Sequence, residues 1–144
     1  MPSEAEAPAQ TLVPHLSVKG GNEAIEFYQK AFGATVTTRV PAEDGHRVLY
    51  AALSVNGASV YLSDEFPEFG AAASPSASTL GGTSVALHLH FPTAAHADSA
   101  FQRAVDAGAE PIMPMMDAQW GDRYGRLRDP FGHVWSFGGP LAHS

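Results

Sequence analysis

Three observations predict an α+β fold built from two tandem βαβββ modules. The first is an internal repeat. At an offset of 73 residues His15, Leu16 and Val18 meet His88, Leu89 and Phe91, Tyr28 meets Phe101, and Gln29-Lys30-Ala31 meets Gln102-Arg103-Ala104. At an offset of 75, Gly33-Ala34 meets Gly108-Ala109, so the second copy carries a small insertion at the end of its helix. Self-similarity of this kind marks one supersecondary unit used twice. The second observation is a strand-then-helix pattern opening each copy, closed by Gly33 or Gly108 where a C′ glycine belongs. The third is Asn56-Gly57 between alternating apolar residues, a two-residue hairpin signal.

Residues 1–10 have no hydrophobic period and are expected to form a loose tail, with the domain beginning at Thr11. Leu12 to Val18 is a short apolar run and predicts a strand, followed by Gly20-Gly21 and by Asn22 as helix N-cap. Over Glu23 to Phe32, Ile25, Tyr28 and Phe32 form a buried stripe, and Glu26 and Lys30 make an i,i+4 pair. Thr35 to Val40, a loop at Pro41 to Gly45 and the Asn56-Gly57 hairpin complete module one, residues 11–64. The linker, 65–82, is rich in Gly, Ala, Ser and Pro and is expected to be flexible and to border a site. Module two, 83–140, predicts a strand at Val85 to Phe91 and a helix at Ala97 to Ala107 that buries Phe101, Ala104 and Val105. Strands at Pro111 to Met115, Tyr124 to Arg128 and Val134 to Phe137 follow, with a tight turn at Asp129-Pro130-Phe131-Gly132 and a tail at 141–144.

Composition narrows the function. The 144 residues are 44% hydrophobic and 16% charged, suited to one domain with an ordinary core. Eight Lys and Arg against fifteen Asp and Glu give a net charge of −7, which disfavours a nucleic-acid partner. The absence of Cys excludes disulfides, thiolate metal sites and a Cys nucleophile, and fits a reducing cytoplasm. No window reaches the ~18 apolar residues of a membrane span, and the N-terminus lacks a signal-peptide pattern, so a cytoplasmic protein without a membrane partner is expected.

The repeated modules, HLSVKGGNEAIEFYQKAFGA at the front and WGDRYGRLRDPFGHVWSF at the back, resemble the vicinal oxygen chelate superfamily of glyoxalases, extradiol dioxygenases and bleomycin-sequestering proteins. EAIEFYQKAFGA, WGDRYG and DPFGHVW look most like its PhnB-like branch. The resemblance implies that each module curls into half of a cup with helices outside, that the ligand sits within, and that the protein is a homodimer. It also implies four metal-ligand positions, which fall here at Val13, Tyr61, Ala86 and Ser136. Val, Ala and Ser cannot complete a His/Glu quartet, so no metal cofactor is expected.

Strand alternation populates that cup. Ala51, Leu53, Val55, Val60 and Leu62 share an apolar face, and Tyr50, Ala52, Ser54, Ser59, Tyr61 and Ser63 share the opposite, wetter one. The same period puts Val13, His15 and Ser17 on the cup face of the first strand, and Ala86, His88 and His90 on that of its repeat. Residues i and i+2 on a strand lie roughly 6–7 Å apart. His15, His88 and His90 therefore stand in a structural or ligand-contacting role, hydrogen-bonding locally or lining the cavity, with a shifted three-His site for a divalent metal as the alternative, and His15 or His88 as general acid or base. Trp120 is placed to stack on a flat ligand and Arg123 or Arg126 to pair with an anion, or else Trp120 covers core and Asp122 pairs with an Arg. Ser136 faces the cup while Trp135 and Phe137 pack under the helices. Met113, Met115 and Met116 serve as core filler or as a pocket wall. His46, His96, His133 and His143 are expected to be solvated, as are Asp64, Glu65 and Glu68.

The leading expectation is metal-independent sequestration of a drug or metabolite in an aromatic and polar cup lined by His15, Tyr50, Tyr61, His88, His90 and Trp120. The alternative is a lyase, isomerase or oxygenase that uses His15, His88 and His90 as metal ligands or as acid and base.

Overall fold

The computed structural model describes residues 10–142. The tails expected at 1–10 and 141–144 lie outside the described residues except for Gln10, Leu141 and Ala142. These ends belong to the domain: Gln10 brackets the backbone of Ser59, accepting from its N–H at 2.8 Å and donating to its carbonyl at 2.9 Å, and the Leu141 N–H donates to Gly121.

The chain runs β1 (His15–Val18), α1 (Gly21–Phe32), β2 (Thr35–Pro41), β3 (Val48–Val55), β4 (Ala58–Asp64), a 3-10 segment (Pro67–Ala72), α2 (Ala77–Leu80), β5 (Ala86–His90), α3 (Ala94–Ala107), β6 (Glu110–Asp117), β7 (Asp122–Arg128) and β8 (Val134–Pro140). Two four-stranded sheets result, ordered β1-β4-β3-β2 and β5-β8-β7-β6. In each, the first strand runs parallel to the last and the others pair as antiparallel neighbours. The repeat holds residue by residue: His15 lies opposite Tyr61 in one sheet and His88 opposite Ser136 in the other. The Asn56-Gly57 hairpin forms with both residues at positive φ, as its turn type requires.

The apolar faces of both sheets and the two long helices share one core. Leu16, Val18, Leu53 and Leu62 come from the first sheet, Leu89, Leu127, Trp135 and Phe137 from the second. Helix α1 binds the modules together, because its Tyr28 and Phe32 rings lie 5.6 and 4.6 Å from Trp135. The two sheets do not close on each other, so the expected cup exists in one chain as two open halves.

Buried carboxylates fix the elements. Asp129, expected only as a turn residue, is 3% exposed; it accepts from the Tyr28 hydroxyl, from Trp135 Nε1 at 2.9 Å, and from the N–H groups of Phe131 and His133. Asn22 is not the N-cap of α1. Gly20 takes that position at φ 100°, and the buried Asp64 of β4 accepts from the Gly20 and Gly21 N–H groups at 2.9 Å and from Val48 at 2.7 Å. A Cβ on Gly21 would stand 2.5 Å from Asp64 Oδ2, so this cap requires glycine there. The other acids of the expected solvated patch are also engaged. Glu65 accepts from Ser76 N–H and the Thr79 hydroxyl, and Glu68 pairs with Arg47, so both carboxyls lie below their usual pKa.

Three other expectations change. The first strand begins at His15 rather than Leu12: Pro14 supplies no N–H, and Leu12 is 86% exposed. The linker is not featureless, since Ser76 is fully buried and caps α2 by accepting from Thr79 N–H. Helix α3 starts three residues early because Thr93 caps it by accepting from His96 N–H. No helix among the described residues is long and apolar enough to cross a membrane.

Candidate functional site

Each sheet turns a polar and aromatic face away from the shared core. On module one, β1 supplies His15 and Ser17, β4 supplies Tyr61 and Ser63, and β3 supplies Tyr50. His15 Nε2 lies 2.9 Å from Ser63 Oγ, and the His15 ring meets Tyr61 edge-on. Tyr50 and Tyr61 pack at 5.2 Å; desolvation, then the neighbouring Tyr61, raises the Tyr50 pKa. The linker borders this face as expected. A cavity of about 410 Å³ beside His15 is walled by Ser17, Leu49, Ser63, Phe66, Phe69 and linker residues, with none from module two.

On module two the pairing of strands sets side chains in rows. His88, Ser136, Arg126 and Met113 are successive partners across β5, β8, β7 and β6; His90, Gly138, Tyr124 and Met116 form the next row. His88 Nδ1 lies 2.8 Å from Ser136 Oγ and its Nε2 3.2 Å from His90 Nδ1. The imidazole crosses β8 above Gly138 and stacks on Tyr124, 6.0 Å away at 15°. A Cβ at position 138 would stand 2.9 Å from His88 Cε1, so glycine is what leaves the ring its place. Trp120, 66% exposed in the β6–β7 turn, meets Tyr124 edge-on at 5.4 Å. Burial, then the neighbouring His90, lowers the His88 pKa, against a smaller opposing effect of Asp122.

The structure sorts the expected site residues. His88, His90, Ser136 and Trp120 come together, as do His15, Tyr50 and Tyr61, but the two groups sit on different sheets. Ser136 is 3% exposed, with its hydroxyl on His88 rather than presented to the open face. Arg123 points to the helix side, donating to Asp98 of α3 and Asp117 of β6, and these partners raise its pKa. Asp122 makes none of the ion pairs found among the described residues. His133 is not merely solvated: it donates to the Ser17 carbonyl at 2.9 Å and links the β7–β8 turn to β1. His96 is exposed as expected, its ring tilted against Phe91 at 5.0 Å, while His143 lies outside the described residues. Met115 packs on the core, and Met113 and Met116 line the polar face.

Sequence reasoning passed over Tyr124 and Gly138 and weighed Arg126 only beside Arg123. The signal was present: buried Leu127 fixes the phase of β7, so Tyr124 and Arg126 must share the opposite face. The glycines around that stretch hid the phase.

The residues do not fit a metal centre. Of the four positions the resemblance implies, Val13 and Ala86 carry no donor, Ser136 Oγ is engaged by His88, and the Tyr61 phenol is left as a single donor. His88 and His90 adjoin, but His15 lies on the other sheet with Ser63, and no group of three His, Asp or Glu side chains among the described residues is arranged to hold an ion.

Residues 10–137 match the profile of the Glyoxalase/Bleomycin resistance protein/Dioxygenase superfamily. An uncharacterised protein of Mycobacterium tuberculosis is 46% identical over 130 residues, covering 90% of this chain and 74% of that one. Among solved structures, TioX from Micromonospora is 26% identical with a TM-score of 0.66, covering 94% of this chain and all of TioX. A Bacillus cereus structure described as a putative 3-demethylubiquinone-9 3-methyltransferase, PhnB protein, is 18% identical with a TM-score of 0.67, covering 92% of this chain and all of its own, and so speaks for the fold. With two βαβββ modules and a profile match across nearly their whole length, this chain belongs to the Glyoxalase/Bleomycin resistance protein/Dioxygenase superfamily.

Proposed function

We propose that the protein binds a small aromatic molecule on the polar face of module two without a metal, in the manner of a drug- or metabolite-sequestering protein. The observation that carries this reading is the ladder Trp120–Tyr124–His88, an aromatic surface beside His90 and Ser136. Aromatic stacking with a few oriented hydrogen bonds binds without bond chemistry. The donor set described above supports metal independence. A homodimer completes the site in this proposal: Trp120, Met116, Leu49 and Phe69 are 66%, 49%, 47% and 57% exposed on or beside the two faces, more apolar surface than a solvated sheet needs. Placement in the PhnB-like branch is supported by the B. cereus neighbour's name.

The test is binding of 2-naphthamide by equilibrium dialysis, with metal content measured by elemental mass spectrometry on the same sample. Binding that persists in EDTA, is lost in Trp120→Ala and Tyr124→Ala, and occurs in metal-free protein supports the proposal. Near-stoichiometric metal whose removal abolishes binding overturns it.

A second reading is favoured by the Ser136–His88–His90 chain, in which a histidine of lowered pKa joins two further proton-carrying groups. In that reading His88 is a general base. Turnover of a bound compound that vanishes in His88→Ala while binding survives would select it.

A further inference from the structure

On the polar face of module two, Arg126 is a cation that makes none of the ion pairs found among the described residues. Its Nε is buried and has no hydrogen-bond partner among the described residues. The neighbouring arginines of β7 are neutralised: Arg123 by Asp98 and Asp117, and Arg128 by Glu110 at 3.0 Å. Asp122 shares the strand and face but sits four residues away, about 13 Å along an extended chain. An unmatched guanidinium N–H is costly, and Arg126 as a whole is only half-buried, which leaves its side chain within reach of a partner from outside.

The position of Arg126 is informative. It is the direct β7 partner of Ser136, which engages His88. The row therefore sets a guanidinium beside the hydrogen-bonded Ser136–His88 pair. A guanidinium suits a planar bidentate anion better than a point charge does. The aromatic ladder lies in the adjacent row.

We propose that Arg126 anchors an anionic group, a carboxylate or its phosphonate equivalent, of an aromatic ligand whose ring stacks on Tyr124 and Trp120. This rests on the reading of module two's polar face as a ligand site, and it adds the ligand's charge class and the residue that selects it.

The experiment compares 2-naphthoate with its neutral isostere 2-naphthamide, by equilibrium dialysis against the full chain. The wild-type protein binds naphthoate about ten-fold or more tighter, the scale of one charge-assisted hydrogen-bond pair. Arg126→Gln abolishes that preference and leaves naphthamide binding unchanged, Arg126→Lys retains part of it, and Arg123→Gln retains it in full. Equal binding of the two probes by the wild type, or a preference that survives Arg126→Gln, overturns the anion assignment and leaves aromatic binding standing. Binding of neither probe below about 1 mM overturns both. Loss of both probes in both Arg126 variants at an unchanged thermal midpoint assigns Arg126 a packing role, and likewise overturns the proposal.

Discussion

The Tyr28 hydroxyl donates to the buried carboxylate of Asp129, 101 residues away, and so pins the helix of one module to the β7–β8 turn of the other. Burial, and then the Asp129 charge, hold the Tyr28 phenol well above its usual pKa, which keeps it a donor. The same carboxylate receives Trp135 and two backbone N–H groups, so the junction between modules is a satisfied polar hub inside an aromatic cluster.

Tyr28→Phe removes one donor to a charged acceptor and is expected to cost about 1.5–3 kcal/mol. Asp129→Ala leaves several buried donors without an acceptor and is expected to cost about 3 kcal/mol or more. Urea denaturation measures both. An unchanged midpoint for Asp129→Ala would falsify the hub.

Asp64→Ala strips the cap from α1 and orphans the N–H groups of Gly20, Gly21 and Val48. A loss of about 2–3 kcal/mol is expected, and a smaller one for Asp64→Asn, which keeps an accepting oxygen. Amide exchange localises it: the first turn of α1 should open before α3, and uniform loss of protection would contradict the capping role.

Gly138→Ala places a Cβ where His88 Cε1 now lies. The ring is expected to swing off Tyr124, with histidine resonances shifting and naphthamide binding weakening several-fold. Global stability should change by less than about 1.5 kcal/mol, because a surface ring can move. Unaltered His88 resonances would show that the ring does not depend on this gap.

His88 is expected to titrate below its ordinary value of 6.5. As pH falls below 6.5 the unfolded chain takes up this proton first, so stability present above 6.5 is lost as pH falls through the lowered folded value. His90→Asn removes the second of the two causes and should move the midpoint part of the way back, with burial still holding it down. NMR titration of the imidazole carbons decides this, and a midpoint above 6.5 would contradict the geometry.

Which strand residues face inward and which face the candidate site was largely legible, because strand alternation is a local rule. The apolar set Ala51, Leu53, Val55, Val60 and Leu62 is buried as read, and His15, His88 and His90 lie on the opposite faces. Arg123 shows where that rule was applied too loosely: a stretch broken by glycines has an uncertain phase, and only the buried Leu127 settles which arginine faces out.

The sequence by itself determined the two-module architecture, the turn types and the absence of metal donors at Val13 and Ala86. Each depends on residue identity and short-range geometry. Tertiary structure alone decided what was joined across long separations. It engaged Asp64 and Asp129 as buried acceptors, set His88 over Gly138 against Tyr124, and left Arg126 Nε without a hydrogen-bond partner among the described residues. It also kept His15 apart from His88. Such relationships depend on which strand lies beside which and on how a helix bridges two sheets, neither of which a local period encodes.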